Sequence, residues 1–298
     1  MSDTTASLRR KITGADDLQS VVRTMRAVAA ASIGQYENSV RALEDYHRTI
    51  ELGLGACLRE QSATGSPAAP EGDTIGAVVF GTDQGLVGQF NDVLADYVIE
   101  TLAALPGTPA VWTVGERMHA RLLDSGLAVV GVFSVPTAVN AVAPLVGQMQ
   151  LQTEAHRTRG RYTRLYVFHN RPQPGALYEP VHQRLLPLDE AWQQRLAGVG
   201  WPTSTLPEVL GGAPLALHSL IREYLFISLY RACAESLASE NASRLAAMQR
   251  ADKNIDELLQ ELRTTFHRLR QQRIDEELFD AVSGYAPSAT RHTTRSEP

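Results

Sequence analysis

The 298-residue sequence predicts a Rossmann-like α/β domain flanked by an antiparallel pair of long N- and C-terminal helices, an α/β plus coiled-coil class. Three observations carry that expectation. From Leu215 to Ser283 no Gly or Pro interrupts the chain, room for roughly 100 Å of helix at about 1.5 Å per residue. Before Pro67 there is no Pro, and apolar or small residues recur there in steps of three and four. Between these ends, short apolar runs bounded by turn residues alternate with helical stretches, the pattern of a sheet covered by helices.

Residues 1–58 read as the first long helix. Its stripe is Leu8, Ile12, Ala15, Leu18, Val22, Met25, Ala29, Ile33, Tyr36, Val40, Leu43, Tyr46 and Ile50. Gly14 and Gly34 are its expected weak points, each costing about 1 kcal/mol relative to Ala. Residues 59–73, "REQSATGSPAAPEGD", read as a linker. The α/β domain follows over 74–190. "TIGAVVFGT", "PAVWTVG" and "LAVVGVFSV" are its first strands, with helices in "QFNDVLADYVIETLAAL", "ERMHARLLDSG" and about Ala138 to Thr158. "RYTRLYVFHNRP" and "ALYEPVHQRLLPL" close it as a strand pair. A connecting segment spans 191–213, the second long helix 214–285, and a polar tail expected to be disordered 286–298. The second stripe includes Ile221, Tyr224, Ser228, Leu237, Leu245, Met248, Ile255, Leu258, Leu262, Phe266 and Leu269. Antiparallel pairing buries both stripes and is expected to bring the region of Met25 near that of Phe266.

Composition removes several function classes. A net charge of −5 and a pI near 5.9 give no electrostatic reason to bind nucleic acid or anionic lipid. Cys57 and Cys233 form no CxxC pair and read as reduced thiols. No run of 18 apolar residues occurs and the first residues lack the apolar core of a signal peptide, so neither membrane insertion nor export is expected. The only lysines are Lys11 and Lys253, and neither sits where a phosphate loop or a Schiff base would need it. "FGTDQGLVGQF" holds three glycines, but its spacing fits a tight strand-to-helix turn better than a phosphate cradle. The eight histidines are scattered. No catalytic residue, metal site or cofactor is expected. "RTTFHRLRQQR" followed by "DEELFD" reads, on charge alone, as a solvated helix face.

Three stretches, "LRRKITGADDLQSVVRTMRAVAAAS", "GTDQGLVGQFN" and "ENASRLAAMQRADKNIDELLQEL" with "RQQRIDEEL", together resemble one known family, the gamma subunit of F-type ATP synthases. "LRRKITGADDLQSVVRTMRAVAAAS" is similar to that family's N-terminal signature, with Met25, Val28, Ala29, Ala30 and Ala31 in its Met–small-residue core. "GTDQGLVGQFN" resembles the family's glycine-rich turn at Thr82, Asp83, Gly85, Leu86, Gly88 and Asn91. "ENASRLAAMQRADKNIDELLQEL" and "RQQRIDEEL" resemble its last helix at Glu240, Ala242, Arg244, Met248, Ala251, Asn254, Arg270, Gln271, Ile274, Glu277 and Leu278.

The resemblance implies a central stalk turning inside a ring of three alpha and three beta subunits, its sheet domain resting on a membrane-embedded c-ring, with epsilon as a further partner. ATP chemistry would belong to beta. The stalk would lie peripherally on the cytoplasmic face of a bacterial plasma membrane. On the family's pattern, Arg270 and Gln271 would bond the catch loop of beta, with Asp275 and Glu277 in the next turn. Glu240 and Arg244 would face the acidic lever loops of beta, Met25 and Arg26 would meet the ring, and Leu278, Phe279 and Val282 would form an apolar tip. Glu208 is the candidate for c-ring contact. The sequence departs from the family at Ser32, Ile33, Gly34 and Gln35, which replace a basic patch, and at Gln84, which replaces an Arg. Two other readings are an α/β nucleotide enzyme dimerised through its helices and a coiled-coil scaffold with no rotary role.

Overall fold

A computed structural model describes residues 4–61, 74–158, 162–174, 176–188, 190–205, 207–208 and 212–285. Its elements in order are α1 (Thr5–Ala42), α2 (Glu44–Gln61), β1 (Thr74–Phe80), α3 (Phe90–Ala104), β2 (Thr108–Val114), α4 (Glu116–Asp124), β3 (Val129–Phe133), α5 (Val142–Thr158), β4 (Arg164–Gln173), β5 (Ala176–Leu186), α6 (Glu190–Ala197) and α7 (Ala213–Tyr285). The chain divides into two compact units, Val28–Ala247 and Met1–Ala27 with Met248–Pro298.

The larger unit is built on a five-stranded sheet of order β3-β2-β1-β4-β5, parallel except for the final β4–β5 pair. Strand β1 is buried on both faces, as the strands of a covered parallel sheet must be. Its alternate residues serve two cores. Ile75, Ala77 and Val79 join Leu94, Val98, Met118 and Leu122 of α3 and α4. Val78 and Phe80 join Val142, Val146 and Met149 of α5, Leu229, Cys233 and Leu237 of α7, and Tyr36 of α1. Helix α7 is thus one of the layers that cover the sheet. A third cluster joins Ile50, Leu54 and Leu58 of α2 to Tyr224 and Ile227 of α7 and Leu196 of α6.

The smaller unit is a two-helix seam. Leu8, Ala15 and Val22 of α1 are buried at steps of seven, as are Met248 and Ile255 of α7. A period of seven is what keeps a seam facing its partner along an under-wound helix pair. The pairing is antiparallel, because contacts on α7 step backward as those on α1 step forward. Arg9 lies over Phe266 at 5.7 Å, Asp16 meets Arg263 at 3.0 Å, and Arg26 meets Asp252 at 2.7 Å.

Several expectations change. The first long helix is divided at Leu43 rather than at Gly14 or Gly34, both of which lie inside α1. Helix α2 runs to Gln61, past the expected boundary at 58, and the remaining linker residues 62–73 lie outside the described residues, as does the tail 286–298. The segment expected only to connect contains α6, held by Leu196 in the third cluster. Phe266 sits opposite Arg9, not near Met25. Leu18 and Leu258, both assigned to the buried stripes, are 54% and 47% exposed, while Gln19 and Leu259 take the seam.

Candidate functional site

Gln19 and Asp252 are polar residues in an otherwise apolar seam, each under a tenth exposed. Asp252 accepts from Arg23 Nε at 3.2 Å and from Arg26 Nη1 at 2.7 Å, and Gln19 Nε2 donates to Asp256. Any slip of one helix along the other would leave the Asp252 carboxylate buried without a cation, a costly outcome. These contacts therefore fix the register of the pair, a role polar groups commonly play in coiled coils. The two arginines remain about half exposed, so each holds the seam with its guanidinium and still faces outward. Met25 is half-buried beside them, and Leu18 and Val21 (54% and 55% exposed) lie on the outer face of α1.

The other candidate residues of this unit lie further along α7, the first of them about 27 Å beyond Asp252 at about 1.5 Å per residue. Arg270, Gln271, Asp275, Glu277, Leu278, Phe279 and Val282 are all exposed. Arg273 pairs with Glu277 at 3.2 Å across one helical turn, a solvated contact of small worth. Ile274, Leu278, Phe279 and Val282 are 52–74% exposed, at three- and four-residue spacing on one face. The structure thus groups Met25 with Arg26, and 270–282 separately.

Glu240 and Arg244 belong to the larger unit, where they engage each other. Arg244 Nη2 lies 2.6 Å from Glu240 Oε1, with side-chain exposures of 15% and 7%. Burial, offset in part by the Arg244 guanidinium, holds the Glu240 carboxyl above the usual carboxylate range. Only an edge of Arg244 is left for a second molecule. Glu208 is exposed and lies outside any helix or strand.

The glycine-rich turn after β1 satisfies its polar groups internally. Thr82 N donates to Asn91 Oδ1 at 3.1 Å, Asn91 Nδ2 donates to Thr82 Oγ1 at 2.8 Å, and Thr82 Oγ1 donates to the Gln84 carbonyl at 2.7 Å. Asp83 accepts from the backbone N–H of Glu116 at 3.0 Å and of Val135 at 2.9 Å, tying the turn to the start of α4 and the loop after β3. An Asp so placed does the work an anion would do in a phosphate loop.

In this strand order the topological switch falls between β1 and β4, where such sheets ordinarily take their ligands. Here α7 fills the position. Ser236 Oγ donates to the carbonyl of Phe80 at 3.2 Å, and Ser243 Oγ to that of Val87. Glu235 meets His169 Nε2 at 2.8 Å and Arg231 Nε at 2.7 Å, within β4 just past its pairing with β1. None of these docking residues was legible as functional in the sequence. His169 and Glu235 lie 66 positions apart, and only the fold brings them together.

Burial alone would raise the pKa of Glu235, but its hydrogen bonds from His169 and Arg231 outweigh that and hold it below its ordinary value of 4.5. A depressed folded-state value means the carboxylate contributes stability above the unfolded value. That contribution is lost as pH falls through the folded one. Glu235→Gln is therefore expected to lower the melting temperature at neutral pH, with the gap to the unaltered chain narrowing as pH falls below the ordinary value of 4.5. Thermal unfolding followed across pH checks this.

Among the described residues no group of three or more His, Cys, Asp or Glu could hold a metal ion, and no helix is long and apolar enough to cross a membrane. Cys57 and Cys233 are buried and form no disulfide, and burial pushes the Cys233 thiol well up.

Comparison with known proteins extends this picture. A family model described as ATP synthase matches residues 4–287. Among solved structures, a chain of the Euglena gracilis mitochondrial ATP synthase OSCP/F1/c-ring assembly is similar at 18% identity and TM-score 0.65, over 99% of this chain and 98% of that one. A chain of the Euglena gracilis rotor matches at 20% identity and TM-score 0.59, over 91% and 98%. One from the Tetrahymena thermophila central stalk and c-ring matches at 20% identity and TM-score 0.55, over 78% and 99%. Matched over nearly its whole length, the chain belongs to the F-type ATP synthase gamma-subunit family, the rotor stalk of that machine.

Proposed function

We propose that the seam of α1 and α7 is the axle through which this stalk couples c-ring rotation to the beta subunits, and that the exposed end of α7 is where the axle meets the alpha/beta ring. The observation that carries the reading is the run from Arg270 to Val282. It is helical, wholly exposed and, at Ile274, Leu278, Phe279 and Val282, apolar on one side. Contiguous apolar surface of that kind is normally covered by a partner. Apolar contact is non-directional, so it can centre a turning shaft without locking it at one angle. Arg270, Gln271, Asp275 and Glu277 supply directional bonds beside it, with Arg suited to bidentate pairing with carboxylates.

Coupling follows from differential contact. Each face of an asymmetric axle favours one conformation of a beta subunit over the others, and turning the axle shifts those populations. A face with equal affinity for every state would transmit nothing. Met25 and Arg26 form a second contact level beside the polar seam, Glu240 and Arg244 a third through the edge of Arg244, and Glu208 a contact toward the c-ring. In this reading the chain carries no active site and no cofactor. It binds epsilon as well as the ring, binds no nucleic acid, and sits peripherally on the cytoplasmic face of a bacterial plasma membrane without entering it. Its complex moves ions as it makes or hydrolyses ATP. The occupied switch point of the sheet and the internally satisfied turn support this over a nucleotide enzyme.

Arg270→Ala combined with Gln271→Ala tests the assignment. Hydrogen bonds to charged groups are worth about 1.5–3 kcal/mol each, so their loss would shift a beta subunit's preference about tenfold or more. The chain should fold normally while ATP-driven ion pumping falls relative to ATP hydrolysis. Equal hydrolysis and equal pumping in altered and unaltered complexes would remove these residues from the coupling role.

A further inference from the structure

A cavity of about 160 Å³ lies in the larger unit between α5, β4 and the first turns of α7. Leu165, Leu225 and Leu229 contribute apolar walls, and Tyr162 closes one side. Burial pushes the Tyr162 hydroxyl up to about 12, and it donates to the Thr153 carbonyl at 2.8 Å, so it stays neutral and engaged. Arg157, Arg222 and His218 stand exposed around the cavity, with Glu154 the only carboxylate among the described residues of its lining. Neither Arg157 nor Arg222 forms an ion pair among the described residues. Gln150, which could have engaged a ligand, donates instead to the backbone carbonyl of Arg222 at 2.8 Å and braces α5 against α7.

Apolar walls offer water few of the two to four partners it needs, and an apolar cavity of about 150 Å³ is large enough to hold benzene. The space therefore suits a hydrocarbon group of about six to eight carbons. Two arginines at the mouth with no carboxylate partner among the described residues suit an anion. We propose that this cavity binds a single-chain amphiphilic carboxylate, its tail among the leucines and its head between Arg157 and Arg222. The residues concerned lie outside the coupling surface, and the proposal does not depend on the rotary reading.

Calorimetric titration of the full chain with octanoate, octanol and octylamine tests it. Octanoate should bind at one saturable site, and more tightly than octanol or octylamine. Arg157→Ala with Arg222→Ala should weaken octanoate about tenfold and leave octanol unchanged. Ile221→Trp, which fills the cavity, should abolish binding of both; Leu225→Phe fills the same space and serves if the Trp variant does not fold. Absence of saturable octanoate binding to the folded chain would overturn the proposal. So would an affinity indifferent to the arginine pair, or to the filled cavity.

Discussion

Leu258→Pro is expected to abolish assembly of this chain with alpha and beta subunits. Leu258 lies in the interior of α7, between the seam residues Asp252 and Leu259 and ahead of the exposed end proposed to meet the ring. Its side chain is 47% exposed, so its loss costs little in packing. The effect comes from the backbone: Pro removes one helical hydrogen bond and clashes with the preceding turn, about 3 kcal/mol or more. A kink there would also take Leu259 and the residues beyond it out of register with α1. Leu258→Ala is the control, expected within about 0.5 kcal/mol of the unaltered chain. Co-purification with alpha and beta subunits and thermal unfolding by circular dichroism read both. Normal assembly and pumping by the Pro variant would show that an unbroken α7 is not required.

Gly115→Ala should be among the most damaging substitutions in the sheet domain. Gly115 has φ +102°, and an added Cβ would stand 2.6 Å from the carbonyl carbon and oxygen of Thr82. Those atoms are backbone within the hydrogen-bonded turn after β1, so they cannot swing aside. Strain at such a dihedral and overpacking each cost about 1–3 kcal/mol, and together they approach the whole stability of a marginal domain. Gly14 is the contrast. An added Cβ there meets nothing within 4 Å, so Gly14→Ala should stabilise α1 by up to about 1 kcal/mol. Chemical denaturation separates the two. A Gly115→Ala chain as stable as the unaltered one would mean the turn is far more pliable than its hydrogen bonds indicate.

The strand–helix alternation was legible because each strand is a short apolar run closed by turn residues, and the long helices because Pro is missing before Pro67 and both Gly and Pro are missing from Leu215 to Ser283. The seam was harder to read. Gln19 and Asp252 occupy buried positions that an apolar count skips, while Leu18 and Leu258 sit outside and attract it. Counting steps of three and four therefore drew stripes one residue away from the true seam at those points. A strict period of seven through Leu8, Ala15, Val22 and Ala29 would have found it. Helix α6 is only eight residues long and had no periodic signal strong enough to show. The ion pair of Glu240 with Arg244 has ordinary helical spacing, and only the fold shows that it is buried. The docking of α7 onto the strand ends depends on contacts between positions as far apart as 156 residues, such as Ser236 with Phe80, for which local pattern carries no signal.

If α1 and α7 turn as one rigid pair, a covalent link between them should leave rotation intact. Gln19 and Asp256 touch across the seam, so Gln19→Cys with Asp256→Cys places two thiols where oxidation can join them. The native Cys57 and Cys233 are buried in the other unit and should not interfere. In the assembled complex the disulfide should form readily and ATP-driven ion pumping should continue at the rate of the reduced complex. Failure of the two positions to crosslink, or crosslinking that stops pumping, would contradict the claim.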